Sequence, residues 1–222
     1  MRAILASSGF NAPETVQKCI QFVDKPAAEI NFAIINEAMI VEPGDHRWFF
    51  EDIDGIRNNF GGKIELVDIQ ALDINETEKR LKNADVIFVT GGNTDYLATV
   101  FEKTGFIKIL SKLLKTKVYV GSSAGSCVLG HRPSHKTFTD VYMEAQYTDK
   151  YPELLDIEIL PHLHNPYFNT KDGNWIIEDS RVAKVPVYVI SDEAAVVVND
   201  NEISLIGKDY LKLEKGEIVE RG

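Results

Sequence analysis

The sequence predicts an α/β protein with a mostly parallel sheet, and three observations support this fold class. Short apolar runs alternate with helical patterns from the N-terminus to about Gly130, as in consecutive βαβ units. One run, "DVIFVTGG", is almost wholly apolar, which is typical of a strand buried on both faces. Near the C-terminus, "VNDNEIS" joins two β-rich runs and predicts a β-hairpin.

The first part of the chain alternates strand and helix. The strand "RAILAS" precedes the helix "PETVQKCIQFVD", which has Pro13 in its first turn. The strands "INFAIIN" and "KIELVDI" alternate with helices predicted over "DHRWFFEDIDGIRNNF" and "NETEKRLKNA", and Asn75 is the expected cap of the second helix. The strands "DVIFVTGG" and "KVYVGSS" follow, with two helices between them that separate at Gly105.

Beyond Gly130 the periodic pattern weakens. The stretch "HRPSHKTFTDVYMEAQYTDKYPE" predicts a long loop, and long loops in compact domains are usually functional or mobile. "LLDIEILPHLH" predicts a strand that ends at Pro161, and a helix is expected from about Asn174 to Lys184. Without repeats, linkers or low-complexity segments, residues 1–222 are predicted to form a single domain.

Charge, cysteine content and hydropathy limit the kinds of partner and the cellular compartment that we expect. The formal net charge of −10 argues against nucleic acid or an anionic membrane as the main partner, because both need a basic face. Cys19 and Cys127 have neither metal nor redox spacing, so no disulfide framework is expected. No cofactor is expected. The N-terminal apolar run is too short for a signal peptide and no run reaches membrane-spanning length, so we expect a cytoplasmic protein. The sequence leaves the oligomeric state open.

The stretch "VYVGSSAGSCVLG" carries the most specific pattern. Residues 121–125 fit G-x-S-x-G, in which a sharp strand-to-helix turn presents the central serine, Ser123, at its apex. The turn lies at the carboxyl edge of the sheet, where open α/β sheets bind ligands. The Ala124 amide, at a helix N-terminus, could face a developing oxyanion. The alternative is a turn that is merely tight.

A second glycine turn, "VTGGNTDYL", ends the preceding strand. Its Gly92 amide could supply the second oxyanion donor, although an ordinary turn capped by Asn93 or Thr94 is an equal alternative.

A serine nucleophile needs a base and an orienting acid. His162, in "ILPHLHNPYF", follows a predicted strand end at a sheet edge and is the candidate base. A metal pair of His162 with His164 is a weaker alternative, because no third ligand has a matching spacing. The residues alone do not select the acid, and the five candidates are Asp140, Asp156, Glu158, Asp192 and Glu193.

The motifs together resemble the peptidase E (aspartyl dipeptidase) and cyanophycinase family of serine peptidases. The similar stretches are "FVTGGNTDYL", "VYVGSSAGSCVLG", "LPHLHNPYF" and "ISDEAAVVV", in the family's order. No metal is expected. The resemblance implies a doubly wound, flavodoxin-like sheet related to class I glutamine amidotransferases. It further implies roles for this chain's own residues: Ser123 as nucleophile, His162 as base, Asp140 or alternatively Glu193 as the acid, and Gly92 with Ala124 as oxyanion donors.

The resemblance implies an exopeptidase that cleaves small peptides with a free N-terminus. Two departures, Ser122 before the nucleophile and Pro-His-Leu-His at the base, weaken the expectation of aspartyl specificity. Asp192 and Glu193 are candidates for binding the substrate ammonium. Arg132 and Lys171 are the basic residues near the motifs, but in no recognisable pattern.

Two other functions remain open from the sequence. An esterase or amidohydrolase could use the same triad, and a non-catalytic binding protein could keep the same fold.

Overall fold

The computed structural model describes residues 1–133, 147–148, 150–168 and 174–222. Its strands form a seven-stranded sheet in the order β3-β2-β4-β5-β1-β8-β9 and a four-stranded sheet in the order β11-β10-β7-β6. In chain order the strands are β1 (Arg2–Ala6), β2 (Phe32–Ile35), β3 (Ile64–Leu66), β4 (Val86–Val89), β5 (Val118–Ser122), β6 (Glu158–Leu163), β7 (Val187–Ser191), β8 (Ala194–Asn199), β9 (Glu202–Gly207), β10 (Tyr210–Glu214) and β11 (Glu217–Arg221).

The predicted fold class is confirmed. Strands β1 to β5 of the seven-stranded sheet pair in parallel, and β8 and β9 extend it in antiparallel fashion. The predicted hairpin joins β8 to β9, with Asn199 opposite Glu202. A second sheet was not predicted, because β7 pairs with β10, which follows it in the chain only after β8 and β9 of the other sheet, and sequence patterns do not show such a pairing.

The helices begin and end close to the predicted positions. Pro13 is the first residue of its helix, and Gly105 separates two helices in the left-handed conformation, at φ 70°. The cap of the third helix is Asp73 rather than Asn75, because the Asp73 carboxylate accepts the amides of Asn75 and Glu76. The described helices are α1 (Pro13–Val23), α2 (Arg47–Asn59), α3 (Ile74–Lys82), α4 (Thr94–Thr104), α5 (Phe106–Leu113), α6 (Ala124–Cys127) and α7 (Asn174–Ser180), with short 3₁₀ turns at Ala27–Glu29 and Glu37–Met39.

Helices cover both faces of the central sheet. Successive residues of a strand point to opposite faces, so Phe88 packs in the core beneath α1 and α2 while Val89 packs beneath α4 and α5. All four residues of β4 are buried, as its apolar sequence predicts. A third, smaller core lies between the second sheet and α7.

The strand predicted to end at Pro161 instead continues to Leu163. Leu160 is opposite Val189 and Leu163 is opposite Ser191, so β6 carries one extra residue, a bulge at Pro161–His162. Proline cannot donate to a strand ladder, which is why the regular pairing breaks there. Helix α7 also ends earlier than predicted, at Ser180 rather than near Lys184.

The chain crosses from the second sheet to the central sheet between Ser191, the last residue of β7, and Ala194, the first of β8. Asp192 and Glu193 form this crossing, which brings the carboxyl end of β7 beside that of β1. Most of the predicted long loop lies outside the described residues. Within the described part of the chain, none of the helices has the length and apolarity to cross a membrane.

Candidate active site

Ser123 lies at the apex of the turn between β5 and α6. Its backbone has φ 48° and ψ −111°, a conformation that non-glycine residues rarely adopt and that costs free energy to hold. Close packing keeps the turn in place: a Cβ on Gly121 would approach the carbonyl carbon of Gly125 to 2.6 Å, and one on Gly125 would approach the carbonyl oxygen of Val89 to 2.1 Å. The two motif glycines are therefore required by packing, and the strained serine has the geometry of a nucleophile elbow.

The imidazole of His162 faces this serine. Its Nε2 atom lies 2.9 Å from the Ser123 Oγ, and 12% of its side chain is exposed. His162 lies on the β6 bulge with φ 65°, so the bulge turns its side chain away from the regular strand direction and toward the elbow. The ring of Phe168 stacks on the imidazole, with 4.5 Å between centroids and 14° between planes.

The carboxylate that contacts the other side of this imidazole belongs to Asp192. Its Oδ1 atom lies 2.7 Å from the His162 Nδ1. The same oxygen accepts the hydroxyls of Ser7 at 2.7 Å and Ser8 at 3.0 Å, and the Asn165 amide donates to Oδ2 at 2.7 Å. Burial alone would raise the pKa of Asp192, but hydrogen bonds from His162, Ser7 and Asn165 and the attraction of the imidazolium hold that pKa well below its usual range.

Of the two acids that the family resemblance implies, the structure describes only Glu193, and its side chain does not contact His162. Glu193 was the alternative acid, but its side chain is 64% exposed and its Oε2 lies 3.4 Å from the Lys208 Nζ. The polypeptide crosses between sheets here, so the first acidic residue of the pair turns inward and the second turns to solvent. Asp140 lies outside the described residues. Asp192 was one of the five acids that the sequence left open.

The predicted oxyanion donors lie in two turns, one at the start of α6 and one after β4. Ala124 is the first residue of α6, and Gly92, at φ 126°, lies in the turn after β4. A Cβ on Gly92 would come within 2.3 Å of the Ala38 backbone, so both its φ and its packing require glycine. Asn93 caps α4 through the Tyr96 amide, at 2.8 Å. The turn therefore serves as a helix cap, and its Gly91 approaches the elbow, because a Cβ on Gly91 would lie 3.3 Å from the Cβ of Ser123.

A buried acid lies behind the elbow. The hydroxyl of Ser122, itself buried, donates to Oδ1 of Asp52 at 3.1 Å. Burial raises the pKa of Asp52 to about 7, against the lowering effect of the Ser122 hydrogen bond and with a smaller raising effect from Glu51. Asp52 falls on the otherwise apolar face of α2, so Ser122 has a buried structural partner.

The remaining sequence candidates lie elsewhere. His164 is exposed, and Asp156 pairs with His131 at 3.2 Å rather than with His162. Glu158 is buried within β6. In the residues that the structure describes, no group of three or more His, Cys, Asp or Glu side chains is placed to hold a metal ion.

The sequence profile of peptidase family S51 matches residues 3–206, nearly the whole chain. The chain belongs to peptidase family S51. It is therefore a hydrolase of the serine-type peptidase class, as the motifs predicted.

Curated relatives agree with the family assignment. This S51 chain is 30% identical over 148 residues to an uncharacterised peptidase of Listeria monocytogenes, covering 65% of this chain and 71% of that protein. It is 28% identical over 192 residues to peptidase E of Shewanella oneidensis, covering 77% and 78%. It is 24% identical over 212 residues to peptidase E of a Nostoc species, covering 93% and 82%.

Solved structures share the fold of this S51 peptidase. A crystal structure of a protein from Listeria monocytogenes with a provisional peptidase E name has a TM-score of 0.74 at 23% identity, covering 93% of this chain and 98% of that one. A peptidase from an acI-B1 actinobacterium has a TM-score of 0.69 at 17% identity, covering 99% and 96%.

Sequence reasoning missed two polar residues of the S51 site, Ser7 and Asn165. The Ser7 hydroxyl donates to Asp192 and accepts the His162 backbone amide at 2.8 Å, so one buried side chain contacts both the acid and the base. Its position was the available clue: "LASSGF" places two serines directly after β1, and β1 pairs with β5 in the middle of a doubly wound sheet. Polar residues at that carboxyl edge face the ligand crevice.

Proposed function

We propose that this S51 peptidase is a serine exopeptidase that cleaves small peptides with a free N-terminus, using Ser123, His162 and Asp192. The observation that carries the proposal is the continuous chain of contacts from the Ser123 Oγ through the two ring nitrogens of His162 to the Asp192 carboxylate. A nucleophile, a base and an orienting acid in this order form the arrangement that activates a serine hydroxyl.

In the proposed acylation step, Ser123 Oγ attacks the carbonyl carbon of the scissile peptide bond. The hydroxyl proton passes to Nε2 of His162, because Nδ1 keeps its own proton for the hydrogen bond to Asp192. The ionised Asp192 fixes this tautomer and stabilises the imidazolium. Its depressed pKa keeps it charged throughout the neutral pH range.

The tetrahedral intermediate carries a negative oxygen, to which the amides of Gly92 and Ala124 would donate hydrogen bonds. His162 then donates its proton to the leaving amine, and the C–N bond breaks to leave an acyl-enzyme on Ser123. A water molecule, deprotonated by His162, hydrolyses the ester and restores the serine.

The exopeptidase part of the proposal rests on the resemblance to peptidase E. Asp192, an expected ammonium ligand, is engaged with His162, and exposed Glu193 lies beside Lys208. Of the two expected cations for an aspartyl side chain, Arg132 makes a two-bond ion pair with buried Asp95, at 3.1 Å for each bond, and Lys171 lies outside the described residues. We therefore do not propose aspartyl specificity.

Hydrolysis of a peptide panel tests this function. Free dipeptides should be cleaved by the wild type, and their N-acetylated forms should lose most of kcat/KM. His162→Ala should abolish turnover, whereas His164→Ala, at a neighbouring exposed histidine, should retain it and serves as the matched control. Rapid cleavage of acetylated peptides or of folded casein would overturn the exopeptidase claim, and turnover of esters alone would favour an esterase.

A further inference from the structure

The side chain of Trp48 lies beside the nucleophile turn. A Cβ placed on Gly91 would lie 3.3 Å from the Cβ of Ser123 and 3.6 Å from Cζ3 of Trp48. The edge of the indole and the serine side chain therefore approach the same side of Gly91. Trp48 is in the first turn of α2 and is only partly buried, unlike Phe49 and Ile56 of the same helix.

A second aromatic ring, that of Phe168, lies against His162, the proposed base. Phe168 stacks on the His162 imidazole, nearly parallel to it, and is also partly buried. Its amide donates to the Asn165 carbonyl at 3.2 Å, and the Asn165 side chain donates to Asp192. The Phe168 turn is thus tied to the acid of the proposed triad.

The proposed reaction separates the substrate into an acyl residue and a leaving residue, and the two rings lie near different ones. In the proposed acyl-enzyme the acyl residue is bonded to the Ser123 Oγ, and Trp48 is the ring that lies beside Ser123 at Gly91. The leaving amine must lie near Nε2 of His162, which places the following residue on the Phe168 side.

The charges around these rings disfavour a carboxylate side chain. The ionised Asp192 carboxylate contacts His162, the residue on which Phe168 stacks. Among the described residues, the cation next to Trp48 in sequence, Arg47, pairs with Asp45 at 3.0 Å. Burying a substrate carboxylate against an indole without a cationic partner is costly, whereas apolar side chains gain from the contact.

We propose, on the basis of the proposed peptidase function, that Trp48 and Phe168 form aromatic walls on the two sides of the scissile bond. Trp48 contacts the side chain of the residue that is acylated, and Phe168 contacts that of the residue that leaves. The substrates are then small peptides with apolar or aromatic residues at both positions, in preference to aspartyl peptides.

Ratios of kcat/KM between matched dipeptides test the two walls separately. Trp48→Ala should lower the ratio of Phe-Leu to Ala-Leu by roughly 10-fold while leaving the ratio of Ala-Phe to Ala-Ala unchanged. Phe168→Ala should do the reverse. Trp48→Phe should keep most of the first ratio. Phe50→Ala, at a 62% exposed aromatic on the same helix, should alter neither ratio. Unchanged ratios in both wall variants, or a wild type that prefers Asp-Leu to Phe-Leu, would overturn the inference.

A second measurement does not depend on turnover. Aminoalkylboronic acids with a benzyl or a methyl side chain should protect Ser123 from a fluorophosphonate, with the benzyl compound effective at lower concentration in the wild type but not in Trp48→Ala. If Ser123 of the wild type is labelled normally but both compounds protect it equally well, the inference about the walls is overturned and the proposed function stands. A wild type in which Ser123 is not labelled would overturn the proposed function together with the inference that rests on it.

Discussion

The Nδ1 atom of His162 lies 2.7 Å from Oδ1 of Asp192, and the two residues come from the ends of adjacent parallel strands in the second sheet. Ser123 comes from the central sheet. The proposed triad is therefore assembled at the junction of the two sheets, where the chain passes from β7 to β8.

The proposed role of Asp192 predicts that removing its charge lowers kcat strongly. Asp192→Asn keeps the shape of the side chain but removes the charge that stabilises the imidazolium, so kcat should fall by about 10⁴-fold with the fold intact. Glu193→Gln, at the adjacent exposed acid, is the matched control and should stay near wild-type activity. Steady-state kinetics and circular dichroism of both variants check this. A large loss of kcat in Glu193→Gln with little loss in Asp192→Asn would contradict the assignment of the acid.

Ser7 is expected to position both His162 and Asp192. Ser7→Ala removes the hydroxyl that donates to Asp192 and accepts the His162 amide. Because hydrogen bonds to charged groups contribute about 1.5–3 kcal/mol, kcat should fall roughly 10- to 100-fold with KM little changed. Ser8→Ala, which removes one longer bond to the same carboxylate, should have a smaller effect. A rise in KM at constant kcat would instead point to substrate binding.

The sequence predicted the parts of this site that depend on local patterns. The G-x-S-x-G turn, the glycine turn before α4 and the histidine after Pro161 are each encoded within about ten residues. The acid could not be selected in the same way, because five acidic residues were equally available and the choice depends on how β6, β7 and β1 meet. The β6 bulge that aims His162 was also missed, although Pro161 marks the position where regular pairing fails.

The buried carboxyl of Asp52 predicts a pH-dependent stability. Its pKa is about 7 in the folded protein, raised from an ordinary value of 3.8, so between these values the folded state holds a proton that the unfolded state releases. Its contribution to stability is fully present below about pH 4 and is lost as the pH rises through about 7. Asp52→Asn removes this dependence.

Urea unfolding of the wild type and Asp52→Asn across pH 4 to 8 checks this expectation. The free energy of unfolding of the variant relative to wild type should increase over that range by on the order of a few kcal/mol. Glu37, whose burial also raises its pKa to about 7, is present in both proteins and does not affect the difference between them. A constant difference from pH 4 to 8 would show that Asp52 does not titrate as its burial implies.

We expect Ser122→Ala to lower the stability of the fold while changing catalysis only mildly. The substitution removes the hydroxyl that donates to buried Asp52, which should lower the free energy of unfolding by about 1–3 kcal/mol. Its effect on kcat should be mild, because Ser122 is buried and its hydroxyl points to Asp52. Thermal unfolding and kinetics of the same preparation check both parts. Loss of kcat comparable to that of Ser123→Ala would contradict the assignment of the apex serine.

Mass spectrometry after fluorophosphonate treatment tests the central claim, activation of Ser123 by His162, most directly. We expect one adduct per chain, located on Ser123 by peptide mapping, formed at a similar rate in Ser122→Ala and much more slowly in His162→Ala and Asp192→Asn. An adduct that persists in Ser123→Ala, or that forms on Ser123 equally fast without His162, would contradict the account.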